Sequence, residues 1–556
     1  MSMMKKRTRA SLWLLFAVVV LLVGAHQTAR AADAVVGDGS PASCTEAAFD
    51  VALATVSSGG GVMTFNCGPS VHTIQLSLAK VVNLANVTIN GGGRIILNAG
   101  PNERIFFVGP ITFRLQQIIL QGGDALVSGG AIEASGAQVI VENVQLRNNR
   151  SAVSGGAIYC YDGSLTIRDS VIAGNQAITG GAIYNDGCRL DIANTSFANN
   201  RANGATGRGG AIENATTGAL IARHTSFTTN YALDGGGLYN ASGASADLAT
   251  VTFAKNTAGY GGGIENSGAL TVTSSLFDDN ETTGSGGGLW NINGTAVIEK
   301  TTFANNFAYE GGGVNSYGTV LEMREVNLVN NYANAVSGTP NGGGLYHAGG
   351  TAFVTNATIQ GNFAGNNGGG IYQASDDNLT LTNVTIAGNV VAGLGGGFYH
   401  YGRYAVLTNA TLANNQAGIA GNAIYEDSPQ TPANPGVVQL VNTVIFGYPV
   451  NCDGGLFQSL GHNLSQGSCA SLSAATDRDA FTGDLLLGNL AYNGGRFPMR
   501  TLLPQPGSPL IDAGDPTACQ ATDQRDASRV GTCDLGAVEY GARAFAVLMP
   551  LIRLTP

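Results

Sequence analysis

The sequence predicts an all-β fold: a right-handed parallel β-helix, a solenoid of about twelve or more coils, with an N-terminal cap and a small C-terminal module. Three observations predict it. From residue 129 the phrase Gly-Gly-Ala/Gly recurs at one period through twelve units, its first glycine at 129, 155, 180, 209, 235, 261, 286, 311, 342, 368, 395 and 421 (the last reading GNAIY), in steps of 25 to 31 residues. A second phrase ending in asparagine, as in FANN, FTTN, FAKN and FDDN, advances almost in lockstep with the glycines. Between the two, Leu270 and Val272 alternate with Thr271 and Thr273 at the strand period of two, and Pro340 is the only proline from Gly129 to Tyr425.

A unit of this length cannot bury its own apolar side. Stacked at roughly 4.8 Å, such units share a continuous interior, and twelve of them make a rod of about 60 Å. The two long steps contain the insertions RANGATGR and NAVSGTPN, which read as loops.

The elements follow in chain order. Residues 1–31 read as a signal peptide: Lys5, Lys6, Arg7 and Arg9 precede an apolar run from Leu12 to Val23, and Ala29-Arg30-Ala31 supplies the small residues of a cleavage point. Residues 32–125 read as the N-terminal cap and first irregular coils, with a short helix from Thr45 to Thr55 laid over the open end to hide a strand edge. Residues 126–446 are the repeats. The pattern stops after about residue 450 and Pro498, Pro504, Pro506, Pro509 and Pro516 follow, so 447–540 reads as a separate loop-rich module, followed by a tail, 541–556, whose apolar stretch is too short to span a membrane.

Within the repeats, the aliphatic residue of GGGLYN (Leu238, Ile264, Leu289) points inward. Glycine fits where the backbone turns sharply or packs closely. Phe197, Phe227, Phe253, Phe277 and Phe303 share one register and predict an inner aromatic stack. Asn200, Asn230, Asn256, Asn280 and Asn306 lie just past it, at a bend, and predict a ladder of amides bonded from coil to coil.

Export makes the eight cysteines readable as disulfides. They fall into local couples, Cys44 with Cys67, Cys160 with Cys188, Cys452 with Cys469 and Cys519 with Cys533, although the sequence leaves the connectivity open. With 12% charged residues and a net charge of −10, the chain lacks the basic footprint of a nucleic-acid or anionic-membrane partner. No cofactor or metal motif is present: there is no C-x-x-C, no clustered histidine and no phosphate loop.

The paired phrases GGAIYN and F-x-x-N resemble the repeats of the polymorphic outer-membrane protein family and of other pectin-lyase-like β-helices of bacterial surface proteins. The opening CTEAAFDVALA, GVMTFNCG and TIQL is similar to the CSLREA-type start of such proteins, without its Leu-Arg-Glu-Ala. From VNTVIFG through NCDGG, GHNLS, LGNLAYNGG, LLPQPGSPLIDAGD, TDQRDASR and CDLGAVEY, the chain resembles the choice-of-anchor Q domain, with Asp526 where that pattern has glycine. These resemblances imply a secreted or cell-surface bacterial location, and an architecture more than an activity.

Candidate chemistry is sparse. The slot after the inward aliphatic residue carries Glu133, Glu213 and Glu265. The last two are two coils apart, about 9.6 Å, near the upper limit of an inverting carboxyl pair at roughly 6.5–9.5 Å. Asp278-Asp279 and Asp376-Asp377 read as solvating turns, and His347 and His400 are separated by the coil of Gln373, too far apart to share a metal. The same slot holds Tyr159, Tyr184, Tyr239, Trp290, Tyr346, Tyr372, Tyr399 and Tyr425. As an exposed line, these rings would bind an extracellular glycan or a surface protein; packed on one another, they would only shield the sheet. The expectation is a non-enzymatic surface protein for adhesion or interaction, with a polysaccharide lyase or hydrolase and a passive spacer as alternatives.

Overall fold

The computed structural model describes residues 31–334, 338–428, 436–469 and 472–544, apart from the side chains of 375–377. It is a parallel β-solenoid of about 16 turns. The predicted signal peptide and most of the predicted tail lie outside the described residues.

One coil shows how the sequence builds the rod. Ile264–Asn266 forms a first strand, Ala269–Thr273 a second, Leu276–Asp278 a third and Glu281–Thr282 a short fourth. Each pairs in parallel with its counterpart one repeat on: Ile264 with Leu289, Leu270 with Ala296, Phe277 with Phe303 and Glu281 with Phe307. The bends between strands are single left-handed residues, for example Ser274 at φ 52° and Asp279 at φ 56°. Asparagine and aspartate tolerate that conformation best, which explains their frequency at these places.

The glycine run has a separate job at each position. Gly261 sits at φ +59°, and a Cβ there would lie 2.5 Å from the Ile264 carbonyl oxygen, because the turn folds back over its own strand. A Cβ on Gly262 would lie 2.5 Å from the carbonyl oxygen of Gly287 in the next coil. The first glycine therefore makes the turn and the second lets coils stack.

Inside, the five phenylalanines from Phe197 to Phe303 stack with centroids 4.5–5.0 Å apart and are fully buried. Burying each contributes about 1.5–3 kcal/mol. Beside them, the bend asparagines run unbroken from Asn149 to Asn415. At Asn280 the side-chain Nδ2 donates to Asn306 Oδ1 (2.9 Å) and to the Phe253 carbonyl (2.9 Å), while its Oδ1 accepts from the backbone N–H (3.1 Å) and Nδ2 (2.9 Å) of Asn256.

Parallel pairing reaches beyond 126–446 at both ends, from Ala34–Val36 to Leu464–Ser468. The first coils carry glycine runs only off the repeat period, as at Gly91-Gly92-Gly93, yet keep the inward alternation of strands such as Val87–Ala99, and that alternation is what pairing requires. Helix α1, Glu46–Gly59, is capped by Thr45 Oγ1 accepting from the Ala48 N–H (3.2 Å), and buries Phe49, Ala52, Leu53 and Val56 over the first coil.

The C-terminal residues are not set apart from the rod. They lie along its side: Asn327 donates to the Pro498 carbonyl, Thr358 to that of Arg500, Thr385 to Gln524, Thr411 accepts from the Ala537 N–H, and Asn442 from that of Asp515. Those five rod residues belong to successive coils. The prolines that end the repeat pattern are those of the segment that turns back.

The bridges are Cys44–Cys67, Cys160–Cys188, Cys452–Cys469 and Cys519–Cys533.

Candidate functional site

The outward slot of the first strands is a single column along the rod. It reads Phe107, Glu133, Tyr159, Tyr184, Glu213, Tyr239, Glu265, Trp290, Asn315, Tyr346, Tyr372, Tyr399, Tyr425 and Asp453. Alternation puts this column on the outer face, and of the two arrangements the sequence allows, the rings adopt the packed one. Tyr239 is 8% exposed and Tyr399 4%, and Trp290, Tyr346, Tyr372 and Tyr425 are half-buried. The cause is the glycine turn, which folds back across the strand and lays the residue before the glycines against the column.

The tyrosines also cover one another. Tyr346, Tyr372, Tyr399 and Tyr425 stack at centroid distances of 5.0, 4.8 and 5.8 Å, within 13° of parallel. Their faces are spent on their neighbours, leaving edges outward, and a sugar ring needs a free face. Two phenols of the column are tied down as well: Tyr399 donates to Asp427 Oδ2 (2.5 Å) and Tyr159 to Asp186 Oδ2 (2.8 Å). Burial pushes the Tyr372 phenol up to about 12 and raises Tyr346 further.

The middle of the column differs. Glu213, Tyr239 and Glu265 are neighbours on three successive coils, so the two carboxyls flank the ring. Both glutamates are 5% exposed, and the Oε2 of each has no hydrogen-bond partner. Burial, opposed by Arg208 and reinforced by Asp234, pushes Glu213 up to about 8; burial and then Asp234, against Arg208, push Glu265 up to about 9. Arg208 lies over the Tyr239 ring, 4.8 Å from its centroid, with its Nε 3.7 Å from Asp234 Oδ2. On the next coils Tyr260, 41% exposed, stacks on Trp290 at 4.7 Å. Glu133 stands apart, paired with Arg104.

His347, Gln373 and His400 do share a register, but inside the rod, fully buried. Among the described residues no group of three or more His, Cys, Asp or Glu is placed to hold a metal. Asp278 accepts from Asn305 Nδ2 (2.8 Å) on the next coil; the side chains of Asp376 and Asp377 lie outside the described residues.

Two features escaped the sequence reading. The first strands carry a second inner amide column, in which Asn185, Asn214, Asn240, Asn266 and Asn291 are linked by Nδ2–Oδ1 bonds of 2.7–2.8 Å. The signal was the final asparagine of GGAIYN and its relatives. The short fourth strands display a truly outward row, with Phe307, Tyr332 and Val390 37%, 46% and 39% exposed on coils one, two and four of a run that includes Phe363. Its signal was the residue after each bend asparagine.

Comparison with known proteins gives three results. No curated protein matches the chain. Among solved structures, the crystal structure of pectate lyase Pel9A is 12% identical over 88% of this chain and 90% of its own, with a TM-score of 0.19. The A-module of the Azotobacter vinelandii mannuronan C-5 epimerase AlgE4 is 13% identical over 80% of this chain and all of its own, with a TM-score of 0.22. Residues 143–161, one inner strand, its bend asparagine and the following glycine turn, match the Chlamydia polymorphic membrane protein repeat, so the chain is a parallel β-solenoid whose coil resembles the repeat of that family.

Proposed function

We propose that this is a bacterial surface protein, without catalytic activity, whose rod presents an elongated face to a glycan or protein partner. The observation that carries the proposal is the outer column itself. Its interior neighbours are consumed by phenylalanine and asparagine ladders, whereas this column runs the length of the repeats and holds the aromatic and charged side chains between Arg208 and Trp290. The likeness of residues 143–161 to a membrane-protein repeat supports the surface location. The four disulfides fit an oxidising compartment, and no helix among the described residues is long and apolar enough to cross a membrane. The choice-of-anchor Q resemblance of residues 447–540 supplies a route of attachment.

One observation favours a second reading, a polysaccharide-active enzyme: Glu213 and Glu265 stand two coils apart, about 9.6 Å. A single assay separates the two. The purified chain is incubated with polyuronates and neutral glycans, and unsaturated products and new reducing ends are followed. The proposal expects none; turnover abolished by Glu213→Gln replaces it with the enzyme. Protease shaving of intact cells tests the location, and protection of the rod until lysis would refute it.

A further inference from the structure

We infer that the stretch of the outer column between Arg208 and Trp290 is a binding subsite for an uncharged, hydroxyl-rich glycan segment. This rests on the surface-interaction reading above and narrows its ligand.

The floor of the subsite is Glu213, Tyr239, Glu265 and Trp290 on four successive coils. At about 4.8 Å per coil, the two carboxyls stand roughly 9.6 Å apart along the rod, with the ring between them. Carboxyl oxygens shut away from water are ordinarily hydrogen-bonded. Glu213 Oε2 and Glu265 Oε2 are not, although each side chain is at least nine-tenths buried and belongs to the outward slot. Elsewhere in the column three polar ends are engaged, Glu133 with Arg104, Tyr159 with Asp186 and Tyr399 with Asp427.

The cover over this floor is movable. Arg208 lies across the Tyr239 ring on a long side chain that is 46% exposed, held by one 3.7 Å contact with Asp234. Displacing it opens the ring and the flanking carboxyls together. Beside them Tyr260 rests one face on Trp290 and is 41% exposed, an aromatic platform of the kind on which a sugar ring stacks.

Charge selects the ligand. Three acids, Glu213, Asp234 and Glu265, face a single cation, Arg208, which is already engaged. With both glutamates kept protonated by burial near neutral pH, Arg208 and Asp234 offset each other, so the site offers no net charge to draw either a polyuronate or a basic peptide out of water. A protonated carboxyl both donates and accepts, which matches the paired hydroxyls of a neutral sugar. The other titratable groups against the site are Asp186, Tyr184 and Tyr239. None adds positive charge.

The test is calorimetric titration of the purified chain with neutral hexasaccharides (β-1,4-glucan, α-1,4-glucan and β-1,4-mannan) and with hexagalacturonate, near pH 6 and again near pH 9.5. Binding of a neutral hexasaccharide, at least about tenfold tighter than hexagalacturonate, is expected. Tyr260→Ala, an exposed position checked for folding by far-ultraviolet circular dichroism, should weaken it about tenfold. Raising the pH should weaken the wild type about tenfold as the carboxyls ionise, and Glu213→Gln/Glu265→Gln should abolish that pH dependence. Preference for hexagalacturonate, no binding of any neutral hexasaccharide, or neutral binding indifferent to both Tyr260→Ala and pH would overturn the inference. Any of these, found on a chain that protease shaving places at the surface, leaves the broader reading standing. A chain absent from the surface sinks that reading alone.

Discussion

Two columns of asparagine run side by side through this rod, and they obey different rules. The bend column is asparagine at every coil from Asn149 to Asn415, whereas the first-strand column is asparagine only from Asn185 to Asn291 and then becomes Ser316, His347, Gln373, His400 and Glu426. The difference lies in what the side chain replaces. At the bend no strand partner reaches the backbone N–H, so Asn256 N–H donates to Asn280 Oδ1, and the amide must also donate to a carbonyl of the preceding coil. Aspartate lacks the donors, and the extra methylene of glutamine carries its amide past the position the bend requires. In the first strand the residue's own backbone is already paired in the ladder, so the amide bonds to its neighbour and to nearby turn backbone, as Asn266 does with Gly268 and Thr295, and several residue types can take its place.

The sharpest way to break this comparison is Asn280→Leu. It strands the Asn256 N–H and side-chain amide together with the Phe253 carbonyl, at about 1–3 kcal/mol for each buried group. The melting temperature should fall far more than for Asp279→Ala, and equal falls in a thermal scan would end the argument.

A second effect tests the opposite face of the first strand. Glu213 and Glu265 ordinarily titrate near 4.5 and rise to about 8 and 9 in the fold, so folding takes up protons. Their contribution to stability is greatest below about pH 4.5, falls as pH rises from there to about 8 and 9, and is flat above. Glu213→Gln/Glu265→Gln should therefore raise the melting temperature at pH 9 and flatten its pH dependence; an unchanged slope would remove these groups as its source.

Asn266→Ser should be milder, about 1 kcal/mol, because Ser316 already occupies this column on another coil. A loss as large as that of Asn280→Leu, measured by chemical denaturation, would show that the two columns do not differ. The smallest expected change is a gain. Thr250 holds a left-handed bend at φ 55°, where a β-branched side chain is strained, so Thr250→Asn should stabilise by up to about 1 kcal/mol.

The repeat, the strands and the two interior stacks were legible because period and alternation are local properties of the chain. The phenylalanines from Phe197 to Phe303 and the bend asparagines from Asn200 to Asn306 needed only a ruler. The outer column was harder. Alternation says which side of a sheet Tyr399 or Glu265 takes, but not whether a turn will fold back across that side, and Gly261 does so through a contact with Ile264 that spacing cannot display. The limits of the rod were hidden for a related reason: coils such as Val87–Ala99 pair through alternation, and their glycines do not keep the step that served as the ruler. The course of the C-terminal segment depended on single long-range bonds, such as Gln524 to Ala357, which leave no periodic trace.

A stack of coils has no long-range ties, so it comes apart most readily by fraying from an end, one turn after another. The contacts of Pro498, Arg500, Gln524, Ala537 and Asp515 with five successive coils clamp that end like a splint: the last turns must be released as a block, after the splint has peeled away. Pulled or digested from its C-terminus, the molecule should yield first in one large step and only then turn by turn.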